Sequence, residues 1–415
     1  MSTHHVINPK IMSLSTAVLW GSLIASGMAT ASFAQASDTR TVTEPTLPEV
    51  CSTLAATGGN ATSSIQNALD ACGAGKAVKL TAGDSSAAFL SGPITIPSGR
   101  SLLIDKGATL QALNSASAFD KGSNTCGTLN SDGKGCNPLI TMKNASNSGI
   151  YGEGTIDGQG GVELSDKGTS WWQLAADAKT QSKKQNAPRL VQIDNSQNIT
   201  LHNITMKNSP NFHVVFKKSN GLTAWGITID TPSTARNTDG IDPISSQNVT
   251  VAHSTISTGD DNVAIKANPS AGASRNMSFL NNTFGAGHGM SIGSETQDGV
   301  YDVHVNTLTM NGTTNGLRIK SDKSAAGEVA RVYYDHVTMN NVKKPIVMDT
   351  VYENKSGSTK ANWHDIFYND ITSTTTGEVV LNGTNASSTL TPTMTNVNLA
   401  EGTTWTTTNA SVINK

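Results

Sequence analysis

The second half of the chain repeats one pattern: an Asn-rich turn followed by a run in which apolar and polar residues alternate. The runs are spaced by 23 to 34 residues and begin at Ile199, Leu222, Val249, Met277, Val303, Val332 and Ile366. A repeat in the twenties with two-residue alternation is typical of stacked β-coils, whereas helices follow a 3.6-residue period. A globular α/β chain would place amphipathic helices between its strands. We therefore predict an all-β fold, a single-stranded parallel β-helix with Asn/Gly-rich turns.

A second short strand recurs in each coil, after the turn. Its residues Ile265, Ile292 and Ile319 are 27 residues apart in each step. If these isoleucines stack inward, residues at equal offsets in successive coils become neighbours, separated by roughly 4.8 Å, the spacing of paired strands. Charged residues placed at such offsets are then expected to meet on one face of the solenoid.

Four motifs bring charged residues to that column within a window of 84 residues. They are Asn237-Thr-Asp239-Gly, Gly-Asp260-Asp261, Gly-His288-Gly and Arg318-Ile-Lys320. Asp261 and His288 stand four residues before the isoleucines of their coils, and Asp239 joins them if its coil is aligned through Ile241 and Val263. The two cations of the last motif point away from the isoleucine between them, because side chains alternate along a strand. We expect three carboxylates, one imidazole and two cations in one patch.

Each motif also has a structural interpretation when taken alone. Asp is common in turns before strands, and five further histidines are interpreted as structural: His202, His213, His253, His304 and His336. Three aspartates on adjacent coils are harder to explain in that way. Carboxylates held close together raise the pKa of at least one of them, as a general acid requires, while ionised neighbours can activate water. The cations among them favour an anionic substrate.

Composition agrees with a solenoid. Only 36% of the 415 residues are hydrophobic and 5% aromatic, while 38 are glycine. A β-helix tolerates these values because its core is narrow and its turns are polar. The formal net charge is −2 and there is no basic stripe with interleaved aromatics, so nucleic acid is not an expected partner. Solenoid ends need only capping coils, which favours a monomer.

The first 36 residues have the pattern of a signal peptide. Lys10 precedes an apolar stretch from Ile11 to Met28, and an Ala-rich segment suggests cleavage near Ala34 or Ala36. A retained membrane anchor is the alternative, but the run is short and interrupted by Ser, Thr and Gly. We therefore expect a secreted protein with no membrane association in its mature form. Its domain spans residues 37–415, because no linker or charge run divides this region.

Four cysteines suit an oxidising destination. Among the three possible connectivities we favour the local pairs Cys51–Cys72 and Cys126–Cys136. A zinc site is the alternative, but there is no Cys-x-x-Cys spacing and no cluster of histidines. No metal and no cofactor are expected.

The motif set resembles that of the polygalacturonases, family 28 of the glycoside hydrolases, in particular the secreted enzymes of plant-pathogenic bacteria. The segment Tyr151-Gly-Glu-Gly-Thr-Ile-Asp-Gly158 and the pair Trp171-Trp172 extend the resemblance upstream, over residues 90 to 385. Members of that family are right-handed parallel β-helices that hydrolyse α-1,4-galacturonan with inversion. The resemblance therefore implies this fold and hydrolysis of an anionic cell-wall polysaccharide. We expect endo action, although the choice between endo and exo depends on whether loops close one end of the cleft.

The resemblance also implies a role for each charged residue. Asp260 would protonate the glycosidic oxygen, Asp239 and Asp261 would orient and deprotonate the attacking water, and His288 would share a proton network with the acid. Substrate binding would fall to Arg318, Lys320, Asn237, Asp242 and Tyr352, the first two by holding a galacturonate carboxylate.

The resemblance has one departure, and three alternative functions stay open. Gly259 and Asn262 stand where many fungal members have Gln and Cys, which bears on substrate subsites rather than on the reaction. A pectate lyase would use the same fold with Ca²⁺ and a basic Arg, but the paired aspartates and Gly-His-Gly disfavour it. A glycan-binding adhesin or tailspike-like protein would need no ordered acid set. A related hydrolase could act on rhamnogalacturonan or on chain ends.

Overall fold

The computed structural model describes residues 37–130, 132–384 and 389–415, and the segment 1–36 interpreted as a signal peptide lies outside these residues. The helices are α1 (Thr62–Ala71) and α2 (Trp171–Thr180), and 3-10 turns lie at Ser117–Phe119 and Tyr352–Asn354. The strands are β1 (Glu49–Ala55), β2 (Lys76–Thr81), β3 (Ala88–Ser91), β4 (Ile94–Thr95), β5 (Arg100–Ile104), β6 (Thr109–Ala112), β7 (Leu129–Asn130), β8 (Ile140–Lys143), β9 (Ser146–Tyr151), β10 (Thr155–Asp157), β11 (Lys184–Gln185), β12 (Val191–Asp194), β13 (Gln197–His202), β14 (Thr205–Lys207), β15 (Val214–Lys217), β16 (Asn220–Trp225), β17 (Thr228–Asp230), β18 (Ile241–Ile244), β19 (Gln247–Ala252), β20 (Thr255–Ser257), β21 (Val263–Ile265), β22 (Ser274–Phe284), β23 (Met290–Ile292), β24 (Val300–Asn311), β25 (Asn315–Lys320), β26 (Glu328–Asn340), β27 (Lys344–Asp349), β28 (Asn362–Ser373), β29 (Glu378–Asn382), β30 (Thr393–Leu399), β31 (Thr404–Thr408) and β32 (Ile413–Asn414).

Two long parallel sheets contain nearly all of these strands. One sheet has 11 strands and runs from β4 through β18, β21, β23 and β25 to β31, and the other has 19 strands. Successive coils contribute strands to both sheets, so the chain winds from one sheet to the other and back. A short antiparallel pair, β7 with β11, lies outside them. The prediction of a parallel β-helix is confirmed.

The inward column also has the predicted register. Ile265 of β21 pairs with Ile292 of β23, which pairs with Ile319 of β25, and all three are fully buried. The less regular coil is aligned as expected, with Ile241 of β18 opposite Val263. Side chains that point outward from these strands are therefore stacked as well.

The Asn-rich turns follow from backbone geometry. Many turn residues have a left-handed backbone, which Asn tolerates better than other non-glycine residues. Examples with positive φ between strands are Asn195, Asn203 and Asn208. Serines add a ladder at one turn: the Ser196 backbone N–H donates to Ser219 Oγ at 2.9 Å, and the Ser219 N–H donates to Ser246 Oγ at 3.1 Å. These contacts tie each coil to the next.

Helices and disulfides reinforce the coils on the N-terminal side. Helix α1 buries Ile65 and Leu69 in the core. The structure contains both local disulfides, with Cα–Cα distances of 5.7 Å for the Cys51–Cys72 pair and 4.8 Å for the Cys126–Cys136 pair. All four cysteine sulfurs therefore form disulfide bonds and cannot act as zinc ligands. Among the described residues, no helix is both long and apolar enough to cross a membrane.

The narrow core leads to a prediction about stability. Leu201 of β13 is fully buried, so Leu201→Ala removes side-chain atoms from a stack that cannot collapse around the cavity. We expect this change to lower the free energy of unfolding by about 2–5 kcal/mol. The measurement is denaturant unfolding followed by circular dichroism. Val162→Ala at an exposed position is the control and should change stability by less than about 0.5 kcal/mol. Equal effects of the two substitutions would contradict the assigned core.

Candidate active site

The paired strands of the 11-stranded sheet determine which charged residues meet. Asp239, Asp261 and His288 each lie two residues before the first paired residue of β18, β21 and β23. They are therefore stacked at the same edge of successive coils. Gly289 follows His288 with a φ of +84°, and a Cβ there would clash with the backbone carbonyl of Asn315 in the next coil. The glycine after the histidine thus allows the coils to approach closely.

Asp261 is the most strongly neutralised carboxylate of the site. It is 2% exposed. Lys320 Nζ donates to its Oδ2 at 2.8 Å, while Ser291 Oγ donates to Oδ1 at 2.9 Å and Arg318 Nη2 also donates to Oδ1. Burial raises the pKa of Asp261, but the two cations outweigh burial and hold this pKa well below its usual range. Asp261 is therefore ionised.

Asp260 lies beside Asp261 but has different partners. His288 Nδ1 lies 3.1 Å from Asp260 Oδ1, and Asn237 Nδ2 donates to Oδ2 at 3.5 Å. Gln185 Nε2 donates to Asn237 Oδ1 at 3.2 Å and so orients that amide. Burial raises the pKa of Asp260, but the hydrogen bond to His288 prevails and the pKa lies below its usual range. In the unliganded protein, Asp260 is thus ionised at neutral pH.

Asp239 is the carboxyl group that favours its protonated form. It is 3% exposed, and burial, followed by the charges of Asp242 and Asp260, raises its pKa well above the usual range, against the opposing effect of Lys266. One pKa of the cluster is thus raised, by burial first and by the neighbouring carboxylates second, and it belongs to Asp239 rather than to Asp260, the residue that the resemblance assigns as the acid. The reason is the difference in partners, since Asp260 has the hydrogen bond from His288.

Two of the predicted substrate-binding residues differ in accessibility. Tyr352 is half-buried and its ring lies 5.0 Å from Lys320 Nζ. Burial raises the pKa of Tyr352 to about 12, so the phenol stays neutral. Asp242 is completely buried, and its Oδ2 lies 3.2 Å from Lys266 Nζ. The interpretation of Asp242 as a residue that contacts substrate is therefore corrected: its carboxylate lies below the surface and faces the Lys266 ammonium.

Several site residues were missed in the sequence. Lys266 follows Ile265 as Lys320 follows Ile319, so the inward column itself carried the signal for Lys266. Ser291 and Gln185 carried none, because their types are common in turns and strands. Phe212 contacts the Lys266 ammonium at 4.9 Å from the ring centroid. These residues complete the site without adding a new motif.

The site could in principle hold a metal ion. Ligand atoms of Asp260, Asp261 and His288 lie within 4.8 Å of one another. However, both oxygens of Asp261 already accept hydrogen bonds from cationic side chains. An added cation would displace those partners or meet their repulsion. The donor set is therefore better suited to proton transfer than to metal binding.

His213 supports Asp239 from the core. Its Nδ1 lies 3.0 Å from the Asp239 backbone carbonyl oxygen and its Nε2 lies 2.8 Å from Thr231 Oγ1. The imidazole is fully buried, and burial lowers its pKa to about 4. This histidine is neutral at physiological pH and has a structural role, as expected from the sequence.

Fold and site together define a class of protein. Asp260 and Asp239 supply carboxyl groups with opposite pKa shifts, and cations lie next to them on a stacked parallel sheet. Groups of this kind carry out acid–base cleavage of a glycosidic bond. The protein therefore has the features of a polysaccharide-cleaving β-helix.

The chain belongs to glycosyl hydrolases family 28, whose family model matches residues 72–414. An endo-polygalacturonase from Pectobacterium carotovorum subsp. carotovorum is 59% identical over 403 residues, which cover 97% of this chain and 98% of the relative. A polygalacturonase from Ralstonia solanacearum is 42% identical over 383 residues, covering 78% of this chain and 72% of the relative.

A solved structure gives the same result for the fold. The polygalacturonase from Erwinia carotovora ssp. carotovora superposes with a TM-score of 0.89 at 60% identity, covering 91% of this chain and 100% of that chain. The fold is accordingly a right-handed parallel β-helix. The chain is a glycoside hydrolase by family membership.

His213 leads to a prediction about stability and pH. Its pKa of about 4 in the folded protein lies below the value of 6.5 for an exposed histidine, so its contribution to stability is present above pH 6.5. This contribution is lost as the pH falls from 6.5 to 4, by up to about 3 kcal/mol. In His213→Gln this loss should be absent, so the stability difference between the two proteins shrinks on acidification. Urea unfolding at pH 7 and pH 4 measures it. His253→Gln, at an exposed position, should behave as wild type, and an unchanged pH dependence in His213→Gln would contradict the assignment.

Proposed function

We propose that the protein is a secreted, endo-acting polygalacturonase, which hydrolyses the α-1,4 bonds of polygalacturonate with inversion of configuration. The observation that carries the proposal is the arrangement of Asp239, Asp260 and Asp261 beside Arg318 and Lys320. The high identity to relatives named endo-polygalacturonase supports both the substrate and the endo action.

Asp260 is the proposed general acid. Its side chain is 20% exposed, more than that of Asp261 or Asp239, so it is the carboxyl group that a glycosidic oxygen can reach. Its pKa is low in the unliganded protein because of His288. A bound galacturonate adds negative charge and excludes water, and both effects raise the pKa of a nearby carboxyl group. Because the three carboxyl groups are coupled, a proton held by Asp239 can be redistributed to Asp260 when substrate binds.

Asp239 and Asp261 are the proposed bases. Asp261 stays ionised because of its two cations, and it can orient the attacking water while Asp239 accepts the proton. Inverting hydrolysis needs acid and base carboxyl groups roughly 6.5–9.5 Å apart, so that a water molecule fits between them. Successive coils lie about 4.8 Å apart along the solenoid, and the aspartate side chains add to this separation. Carboxyl groups on successive coils therefore suit this requirement.

Arg318 and Lys320 are the proposed ligands of a substrate carboxylate. Two cations pair with one carboxylate, Asp261, so at this end of the site the cations outnumber the carboxylate that they contact. Each cation has more N–H donors than Asp261 uses. Asn237 and Tyr352 adjoin this region and are proposed to contact neighbouring sugars. These cations favour a uronate over a neutral sugar.

Export and assembly belong to the same proposal. The N-terminal apolar segment is proposed to be a signal peptide cleaved near Ala34 or Ala36. The two disulfides of the structure suit an oxidising, extracellular location. The mature protein is proposed to act as a monomer that binds neither nucleic acid nor membranes, with the polysaccharide as its partner.

The first functional prediction concerns the reaction type. Purified mature protein, incubated with polygalacturonate in EDTA, should release reducing ends without ultraviolet absorbance, because hydrolysis forms no double bond and needs no metal. Asp260→Asn should lower the rate by at least roughly 100-fold, since it cannot donate the proton. Asp302→Asn is the control, because Asp302 pairs with Arg331 away from the site. Growing absorbance or inhibition by EDTA would indicate a lyase, and no products from wild type would refute the proposed substrate.

The second functional prediction concerns stereochemistry. If water attacks the face opposite the leaving group, the α-linked substrate first yields a β-anomeric reducing end. Proton NMR of an early digest should therefore show the β-anomer in excess, followed by mutarotation. An excess of the α-anomer at the earliest time would contradict inversion while leaving hydrolysis intact.

A further inference from the structure

Asp242 has an unusual environment for a carboxylate. Asp242 is completely buried, and no neutral group among the described residues donates a hydrogen bond to either of its carboxylate oxygens. Its closest charged partner is Lys266, whose Nζ lies 3.2 Å from Asp242 Oδ2. A buried carboxylate whose charge is met by a single ammonium group is costly. Its presence directly beneath the site therefore calls for a function.

Lys266 connects this buried group to the proposed water-activating base. The same Nζ that faces Asp242 lies 3.6 Å from Asp239 Oδ2. The lysine side chain is 14% exposed, and the face of the Phe212 ring lies 4.9 Å from the ammonium. One cation is thus shared between two carboxylates, with an aromatic ring limiting its movement.

We propose that Asp242 and Lys266 are positioning residues for Asp239: Asp242 holds the Lys266 ammonium from below, and Lys266 holds the Asp239 carboxylate in the orientation and charge state that activates water. The inference rests on the proposed hydrolytic function. It gives Asp242 and Lys266 a role that none of the four motifs assigns to them. Neither residue needs to contact the substrate. Asp242 acts only through Lys266.

The charges around this unit come from several elements. Asp242 belongs to β18, Asp260 and Asp261 precede β21, Lys266 follows it, and Arg189 precedes β12. The charged groups that act on Asp239 or Lys266 are Asp242, Asp260, Asp261, Glu295, Lys266 and Arg189. His213 contacts the Asp239 backbone but is neutral above pH 4, because burial lowers its pKa to about 4.

Removing the two charges one after the other should shift the pKa of Asp239 in opposite directions. Asp242→Asn deletes the anion that competes for Lys266, so Lys266 acts on Asp239 alone and favours its ionised form. The added change Lys266→Met then deletes the cation, with no titrating group left at position 242, and favours the protonated form. The first change should therefore lower the pKa of Asp239, and the second should raise it again.

The experiment is the pH profile of kcat/KM on polygalacturonate, whose acidic limb reports the ionisation of the base in the free enzyme. For Asp242→Asn we expect this limb to move down by roughly one pH unit. For Asp242→Asn with Lys266→Met it should return upward by a similar amount. Both variants should also lose kcat, roughly 10- to 100-fold, because the base is less well oriented, while KM changes little.

A matched pair provides the control. Lys79 Nζ lies 2.8 Å from Asp105 Oδ2 on coils far from the site along the chain, so Asp105→Asn, alone and with Lys79→Met, should leave the limb and kcat unchanged. Lys266→Arg retains the charge and should keep the limb of wild type. If Asp242→Asn does not fold, Asp242→Leu removes the same charge without leaving a polar group unpaired, and the same downward shift is expected.

The outcomes separate this inference from the proposed function. Opposite movements of the acidic limb support the positioning role. A limb that stays at its wild-type position in both variants, or moves in the same direction in both, overturns it even if kcat falls. Wild-type activity on polygalacturonate is a separate result, so the inference can fail while the proposed hydrolysis stands.

Discussion

The site depends on the register of four paired strands, β18, β21, β23 and β25. Their inward residues form a continuous apolar column, which fixes the rotation of each coil relative to the next. A slip of one residue in any coil would turn its outward side chains inward, because side chains alternate along a strand. The packing of the apolar core therefore also keeps the charged residues next to one another.

The pKa values of the three carboxyl groups differ because the cations of the site are unequally distributed among them. Asp261 has two cationic partners and remains ionised, while Asp239 shares one lysine with Asp242 and favours its proton. Asp260 depends on His288, whose hydrogen bond keeps it ionised until the environment changes. Three carboxyl groups with three different partner sets can hold a proton, orient water and respond to substrate, as one hydrolytic cycle requires.

Sequence reasoning was most successful where the repeat carried the information. The period and the isoleucine column correctly placed Asp239, Asp261 and His288 at one edge, because stacked coils convert sequence offsets into spatial neighbours. Burial was not predicted: nothing in Asn-Thr-Asp-Gly-Ile-Asp indicates that Asp242 is fully buried. The pKa order was also missed, because it depends on burial and on how the cations are shared: Asp239 shares Lys266 with Asp242, whereas Asp261 has two cations. Contacts across bends, such as Gln185 with Asn237, involve ordinary residue types and leave no pattern.

The central claim is that this stacked acid–base site cuts within an anionic galacturonan chain. The most direct measurement is the size distribution of products in the first moments of polygalacturonate digestion, with viscosity followed in parallel. The account predicts saturated oligogalacturonates of mixed length and a fall in viscosity well before most reducing ends appear. Release of monomer alone while viscosity persists, or of unsaturated products, would contradict it.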